Sequence, residues 1–259
     1  MEKPPLRITL LGTGTSQGVP VIGCSCEVCT SPDPRDQRLR VSALVESPST
    51  TIVIDTGPDF RQQMLRAKVR KLDAVLITHE HNDHIIGLDD VRPFNFMQRK
   101  PMVVYGLPRV LDEIRKRFAY IFDEDPYPGA PSLELVPLEA GVPFKVGELE
   151  VLPVEVKHGS LPVLGYRFGD FSYLTDVKTI ANDQAELIAG SETIVLNALH
   201  HHPHPTHLNL AEALEMAKRL GASTTVLTHV SHRMGRYAQV APTLPPKVVL
   251  GYDNMSFQV

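Results

Sequence analysis

The sequence predicts an α/β sandwich, in which two β-sheets pack face to face and helices cover their outer sides. Short apolar runs that are typical of buried strands alternate with amphipathic helical segments in both halves of the 259-residue chain. Because a sheet or a helix must bury its apolar face against another element, two such halves are expected to form one layered structure. No linker divides residues 1–259, which predicts a single domain.

The first half of the chain alternates strands with helices. Its predicted strands are residues 7–11, 42–46, 50–54, 74–77 and 101–105. A helix is expected at 60–69, because Pro58 fits an early helical position. A second helix should follow residue 84 and end near Arg92 and Pro93, and a third should span 108–120.

The second half begins with short strands that Gly and Pro interrupt. This pattern, over residues 133–175, predicts an antiparallel sheet with a hairpin turn at Gly169 and Asp170. Further strands are expected at 194–199, 224–228, 248–250 and 256–259. Asn209 and Glu212 have the spacing of a capping box at a helix start, and Gly221 is placed to end that helix.

Four potential metal ligands follow the apolar run at 74–77. His79 and His81 are two residues apart, so in extended backbone they project to the same side. Asp83 and His84 come after the chain bends and face a second point nearby. Two pairs on one turn suit two metal ions. Glu80 should point away from the histidines, either to the surface or into a supporting contact.

Other ligand-type residues stand at distant strand ends. His158, Asp176 and His229 each lie at or just past a predicted strand, and strand ends that converge on one edge of a sheet assemble a site. Imidazoles and carboxylates suit divalent Zn, Mn or Fe. A water molecule shared by two such cations loses a proton near neutral pH and becomes a nucleophile.

A second, smaller metal site is predicted near the N-terminus. The three cysteines, Cys24, Cys26 and Cys29, form an odd and tightly spaced cluster, which favours a metal over disulfides and indicates the reducing cytoplasm. His232 is our candidate for the fourth ligand. Three thiolates and one imidazole would close a tetrahedral site, so this zinc should be structural.

Composition and charge narrow the classes of partner. The net charge is −4 and no block of Lys and Arg is present, so long nucleic acid is not expected as a partner. A small phosphorylated molecule remains compatible, because a metal centre supplies its own positive charge. No apolar run is long enough to span a membrane, and residues 1–5 have no apolar core of a secretory signal.

Several polar segments have more than one interpretation. We interpret the glycine-rich residues 12–18 as a tight turn, because neither a Lys nor a helix pattern follows them. Asp55 could orient a ligand or be structural, and we favour structure. The acidic, proline-rich residues 123–131 could be a surface loop, a lid or a subunit contact. Most of His200, His201, His202 and His204 should lie at the rim of the site, although one could touch substrate.

The motif His79-x-His81-x-Asp83-His84 resembles the signature of the metallo-β-lactamase superfamily. The resemblance implies a four-layer αββα fold and a dinuclear centre. It implies that His79, His81 and His158 hold one metal, that Asp83, His84 and His229 hold the other, and that Asp176 bridges them.

The cysteine loop resembles a narrower group, the cyclic phosphodiesterase of the carbon–phosphorus lyase pathway. Gly12, Gly14 and the run Gln17-Gly18-Val19-Pro20 before the cysteines carry this resemblance. In that group the residue matching His207 assists at the scissile phosphate. It could donate a proton to the leaving oxygen or hold a phosphate oxygen, or it could simply cap the helix at 209.

We therefore expect a metal-dependent phosphodiesterase that cleaves small cyclic phosphodiesters with a metal-bridging hydroxide. The alternatives are a thioester or lactone hydrolase on the same centre, and a biosynthetic protein similar to the pyrroloquinoline quinone B family. A ribonuclease Z-like role is weaker, because no basic segment for binding RNA is visible. The sequence leaves a homodimer open.

Overall fold

The computed structural model describes residues 5–259, which form two seven-stranded sheets. The first sheet contains, in spatial order, β14 (Ser256–Gln258), β1 (Arg7–Gly12), β2 (Ser42–Glu46), β3 (Thr51–Ile54), β4 (Ala74–Leu76), β5 (Met102–Gly106) and β6 (Leu133–Pro137). The second contains β13 (Val248–Leu250), β12 (Thr224–Thr228), β11 (Thr193–Asn197), β10 (Phe171–Leu174), β9 (Leu161–Phe168), β8 (Leu149–His158) and β7 (Phe144–Val146).

Helices cover the outer side of each sheet. They are α1 (Phe60–Ala67), α2 (Asn82–Ile85), α3 (Arg92–Gln98), α4 (Pro108–Arg117), α5 (Asn182–Ile188), α6 (Leu210–Leu220) and α7 (Tyr237–Val240). The helices α1 to α4 pack on the first sheet, and α5 and α6 pack on the second. This arrangement confirms the predicted four-layer αββα fold.

Alternation along the strands divides the core into three layers. Ile52 and Ile54 face the space between the sheets, whereas Val53 faces the helices of the first half. In the second sheet, Val195 faces inward and Leu196 faces outward. All five side chains are fully buried, so both faces of each sheet are covered.

Mixed pairing places several strand ends at one edge. The strands β3 to β6 pair in parallel, and so do β10 to β13. The hairpin of β9 and β10 and the capping box of Asn209 with Glu212 are present as predicted, and Gly221 ends α6 in the left-handed region.

Two sequence predictions about elements are wrong. Residues 133–137 do not begin an antiparallel sheet, because β6 pairs in parallel with β5 and extends the first sheet. The segment after the metal motif is not one helix that ends near Arg92. It starts earlier, as α2 at Asn82, continues as a 3₁₀ helix over Ile86–Val91, and a new helix begins at Arg92. Pro93 lies in the first turn of α3, where its missing N–H costs no hydrogen bond.

The acidic, proline-rich segment contains no helix or strand and lies against α3 and the 3₁₀ turn Ala119–Ile121 that follows α4. The ring of Tyr127 stacks on Tyr120 with centroids 6.3 Å apart, and Nη1 of Arg92 donates to the Tyr127 hydroxyl over 3.1 Å. Whether the segment is a lid or a subunit contact stays a prediction.

No helix within residues 5–259 is long and apolar enough to cross a bilayer. Residues 1–4 of the N-terminal segment, for which no secretory signal is expected, lie outside the described residues.

Candidate metal centre

The predicted ligands come together at the edge where the strands end. His79 follows β4, His158 is the last residue of β8, Asp176 follows β10 and His229 follows β12. Asp176 and His229 have φ of 58° and 54°, the left-handed region that residues other than Gly rarely adopt. Such conformations concentrate at functional sites, and here they turn each side chain from the end of its strand towards the centre.

One group of ligand atoms comes from His79, His81 and His158. Nε2 of His79 lies 2.9 Å from Nδ1 of His81, and all three ligand atoms fall within 4.8 Å of one another. This is the set that the resemblance assigns to the first metal.

A second group comes from Asp83, His84 and His229, and Asp176 lies beside it. Nε2 of His84 is 3.4 Å from Oδ2 of Asp83 and 3.4 Å from Oδ2 of Asp176. The other oxygen of Asp176, Oδ1, is 3.3 Å from Nε2 of His229. Asp176 also groups with His79 and His84, so its carboxylate stands between both ligand sets.

The donor chemistry fits divalent metals. Nε2 of His84 and both ring nitrogens of His229 are buried and have no hydrogen-bond partner among residues 5–259. Buried polar atoms are normally hydrogen-bonded, so orphaned nitrogens that converge on carboxylates indicate an ion site. Two sets of nitrogen and oxygen donors that share Asp176 suit a pair of divalent ions.

The protonation states of three of the ligands point the same way. Burial lowers the pKa of His79 well below its usual value and also lowers that of His229, so both imidazoles are neutral. Burial alone would raise the pKa of Asp176, but His229 and His84 hold it well below its usual value. Metal ligands must be deprotonated, and the shifts of these three groups favour that state. Burial alone would lower the pKa of His84, but Asp55 and Asp176 raise it well above its usual value, so a metal would have to displace a proton there.

Asp55 and Thr78 hold the ligands from behind, a role that the sequence left open for Asp55. Oδ2 of Asp55 accepts a hydrogen bond from Nδ1 of His84 over 2.7 Å and from the Thr78 hydroxyl over 2.8 Å. The Thr78 hydroxyl also lies 3.0 Å from Nδ1 of His79. Our preference for a purely structural Asp55 is therefore wrong. The recurring Thr before the ligands at strand ends was the available signal for Thr78.

His207 lies directly beside both ligand sets. The centroid of its ring lies 4.5 Å from that of His158, which is tilted, and 4.7 Å from that of His229, which is stacked. Its Nδ1 is 3.7 Å from Oδ1 of Asp176. Burial, assisted by His229, lowers the pKa of His207 to about 2. Its ligand atom also groups with those of His158 and Asp176, so the geometry accommodates either a ligand or a group that acts on substrate.

A cavity of about 350 Å³ opens next to His207 and His229. His200 and His204 line it, whereas Nε2 of His201 donates to the carbonyl of Met234 over 2.8 Å outside the lining. His202 is exposed and does not line the cavity. Thr15, Ser16 and Gln17 of the glycine-rich turn form the opposite wall.

The glycine-rich turn is placed by close backbone contact. A Cβ atom at Gly12 would lie 2.0 Å from the carbonyl oxygen of Arg40, so only Gly fits there. The backbone N–H of Val230 donates to the carbonyl of Thr13 over 2.8 Å. The turn therefore sits against the segment that follows His229, and it is a wall of the cavity as well as a tight turn.

The three cysteines and His232 form a separate cluster. Nδ1 of His232 lies 3.3 Å from Sγ of Cys24 and 3.5 Å from Sγ of both Cys26 and Cys29. The backbone N–H of Cys29 lowers the pKa of Cys26 to about 6, whereas burial raises that of Cys29 to about 11. Four donors of this type match a closed zinc site, as the sequence predicts.

Comparison with known proteins matches one family model and a number of relatives. Residues 50–230 match the family model of the Beta-lactamase superfamily domain. A solved structure described as a new diphosphatase from the PhnP family is 37% identical, with a TM-score of 0.92 over 98% of this chain and 97% of that one. A ribonuclease Z of Anoxybacillus flavithermus is 24% identical over 96% of this chain and 97% of the relative.

The third relative is an octanoyltransferase of Porphyromonas gingivalis, 42% identical over 252 residues. The match covers 96% of this chain but 51% of the relative, so the chain spans about half the length of that protein.

Proposed function

The chain belongs to the β-lactamase superfamily, close to the PhnP family within it, and on that premise we propose that it is a metal-dependent phosphodiesterase acting on small cyclic phosphodiesters. The superfamily and the His and Asp clusters make it a metallohydrolase. The dinuclear state, the phosphodiester and the cyclic form are the parts that we propose.

The composition of the cavity carries the choice of substrate. Its lining includes five histidines and Arg233 but no Asp or Glu, although the whole chain has a net charge of −4. Burial lowers the pKa of His200 and of His204, so these imidazoles offer neutral N–H donors rather than charge. Imidazole N–H groups that donate hydrogen bonds, together with the guanidinium of Arg233, favour an anionic substrate over a neutral lactone, because no carboxylate in the lining repels it.

The relatives support the same bond type. A diphosphatase and a ribonuclease both act, by name, at phosphorus, and they match nearly the whole length of the chain. We expect a small substrate rather than a long RNA, because the chain lacks a basic block and the cavity has a volume of about 350 Å³.

The site residues divide the work as follows. His79, His81 and His158 would hold one divalent metal, Asp83, His84 and His229 would hold the other, and Asp176 would contact both. Metals bound there supply Lewis-acid catalysis and lower the pKa of water. Nδ1 of His207 is buried beside Asp176, which leaves Nε2 for a substrate oxygen. As the neutral imidazole that its low pKa indicates, His207 would hold a phosphate oxygen through Nε2–H. It would donate a proton to the leaving alkoxide only if the bound phosphate raises that pKa.

A substrate panel tests this proposal. Metal-loaded protein is assayed with a ribose cyclic phosphate, an open-chain alkyl phosphodiester, a thioester and a lactone. We expect the highest kcat/KM on the cyclic phosphodiester. It is small enough for a cavity of about 350 Å³, and its negative charge suits a lining that contains Arg233 and no carboxylate. Metal-stripped protein and the Asp176→Ala variant serve as inactive controls. Faster cleavage of the thioester or lactone would refute the phosphodiesterase.

One observation favours a second candidate. The name of the P. gingivalis relative points to acyl-group chemistry, so a thioester is the strongest alternative substrate. Half of that relative has no counterpart in this chain, and the name can belong to the other half. A protein that cleaves nothing in the panel would point instead to a pyrroloquinoline quinone B-like biosynthetic role.

We further propose three metals per chain. Two are divalent catalytic ions, Zn or Mn with Fe as a further choice, and one is the structural Zn of Cys24, Cys26, Cys29 and His232. Elemental analysis of reconstituted protein tests the number and the identity. The homodimer and the cytoplasmic location stay predictions, which analytical ultracentrifugation and fractionation test.

A further inference from the structure

We propose that Arg109 and Arg117, both on α4, are positioning residues that hold the turn carrying His79 and His81 in the shape that its metal requires. Neither arginine was singled out in the sequence, and α4 lies outside the site. The inference rests on the predicted metal set and is independent of which substrate is hydrolysed.

His81 is the ligand that most needs support. It is the exposed member of its set, whereas His79 and His158 are buried. Among the described residues, the imidazole of His81 has one hydrogen-bond contact, and that contact is to His79 within the same set. Another ligand of this set has a partner from outside the set. Nδ1 of His158 lies 2.9 Å from the carbonyl oxygen of Thr206.

The two residues that flank His81 are both held by Arg117. Its Nη1 donates to the backbone carbonyl of Glu80 over 2.7 Å and to Oδ1 of Asn82 over 2.6 Å. Its Nη2 lies 3.6 Å from the carboxylate of Glu113 on the same helix. The backbone before His81 and the side chain of the residue after it are thus anchored to one guanidinium, which restricts the direction in which the imidazole leaves the turn.

Arg109 connects the same turn to β9, the strand that pairs with the strand of the third ligand. Its Nη1 donates to the side chain of Glu80, and its Nη2 donates to the carbonyl of Pro162 in β9. The residue before Pro162, Leu161, pairs directly with His158 across β8 and β9. One planar guanidinium therefore spans the two segments that supply all three ligands of the first set. Its fixed fork geometry is suited to setting such a distance.

The exposure of these contacts separates positioning from stability. The side chain of Arg109 is 33% exposed and that of Glu80 is 17% exposed. Ion pairs that solvent reaches contribute little to the free energy of unfolding. In contrast, removing a residue that hydrogen-bonds a metal ligand from outside typically lowers metal affinity about 10–100-fold. The arginines should therefore act on the metal much more than on the fold.

Zinc binding to the full chain tests the proposal, with Zn²⁺ as the probe and a chelator as competitor. We expect Arg109→Gln and Arg117→Gln each to weaken one of the three zinc sites about 10–100-fold, while the other two keep their affinity. Arg115→Gln is the matched control, because Arg115 lies on the same helix, pairs with Asp112 over 3.0 Å and is 50% exposed. It should bind zinc like the wild type.

A double-mutant cycle identifies the affected site. His81→Ala should remove the same zinc, so Arg109→Gln added to it should cause no further loss. Arg109→Lys keeps the charge beside Glu80 but cannot fork to Pro162, so its zinc affinity should be intermediate. Unchanged zinc affinity with a lower melting temperature of the metal-free protein would overturn the proposal, as would additive losses in the double variant.

Discussion

Replacing Asp55 with Asn should disable His84 as a ligand without disturbing the shape of the site. Oδ1 of Asp55 accepts from the backbone N–H of Thr78 over 2.8 Å, and Oδ2 accepts from Nδ1 of His84 over 2.7 Å. An ionised carboxylate only accepts hydrogen bonds, so it fixes the proton of His84 on Nδ1. Nε2, which lies 3.4 Å from an oxygen of Asp83 and 3.4 Å from one of Asp176, is then the nitrogen left for a metal.

Asn has one carbonyl oxygen and one NH₂ group, so it cannot accept a hydrogen bond from each partner through a separate atom, as Asp does. If the oxygen stays with the N–H of Thr78, the NH₂ faces Nδ1 of His84. The imidazole then carries its proton on Nε2 and loses the lone pair that a metal needs. Loss of an outer partner of this kind weakens metal binding about 10–100-fold, which is about 1.4–2.7 kcal/mol. Asn tolerates the φ of 63° at this position, so the fold should persist.

The assay is zinc binding against a chelator, read as zinc per chain and as the affinity of each site. Asp59→Asn is the matched control. It removes a carboxylate four residues later, whose Oδ2 accepts from the N–H of Arg40 over 2.8 Å and which does not touch His84. The control should affect thermal stability and leave zinc content unchanged. If Asp55→Asn bound all its zinc with wild-type affinity, the tautomer argument would be refuted.

Three further substitutions probe the other assignments. Asp176→Ala should weaken both catalytic metals and abolish turnover, because one carboxylate stands between both sets; full occupancy with normal turnover would show that the bridge is misassigned. Cys26→Ser should lower the melting temperature while the folded fraction keeps its kcat, since a closed zinc site acts through folding; loss of kcat at unchanged stability would make that site catalytic. His207→Ala should keep the metal content and lower kcat on alkyl phosphodiesters about a hundredfold or more, with a smaller effect on a p-nitrophenyl ester that leaves without a proton. Equal losses on both esters would reject proton donation, and loss of metal would make His207 a ligand.

Local signals were enough to predict the fold class and most of the residues at the centre. His79, Asp176 and His229 each come directly after a Thr that lies at the end of a buried strand or within two residues of it, and such ends converge when strands run in parallel. The capping box of Asn209 fixed the start of α6 in the same way, because its two hydrogen bonds are local.

The contacts that support the ligands could not be predicted, because they join segments far apart in the chain. Asp55 meets His84 across 29 residues, and Arg109 meets Pro162 across 53. The parallel pairing of β6 depends on where the chain returns to the first sheet, and no local residue pattern encodes this return. Glu80 was expected at the surface or in a supporting contact, and only the packing of α4 decides between the two.

The backbone at three strand ends links the fold to the metal. Asp55, Asp176 and His229 all have φ between 54° and 63°, although none is Gly. Such conformations cost about 1–3 kcal/mol each and persist only where surrounding contacts enforce them. Asp55 would not itself bind a metal, so its left-handed backbone conformation is a property of the fold and does not depend on a bound ion. The sheets therefore hold the backbone of Asp176 and His229 in an unfavourable conformation that directs both side chains to the metal centre before a metal binds. Bound metals would then stabilise the folded state by mass action, because the unfolded chain has no such site.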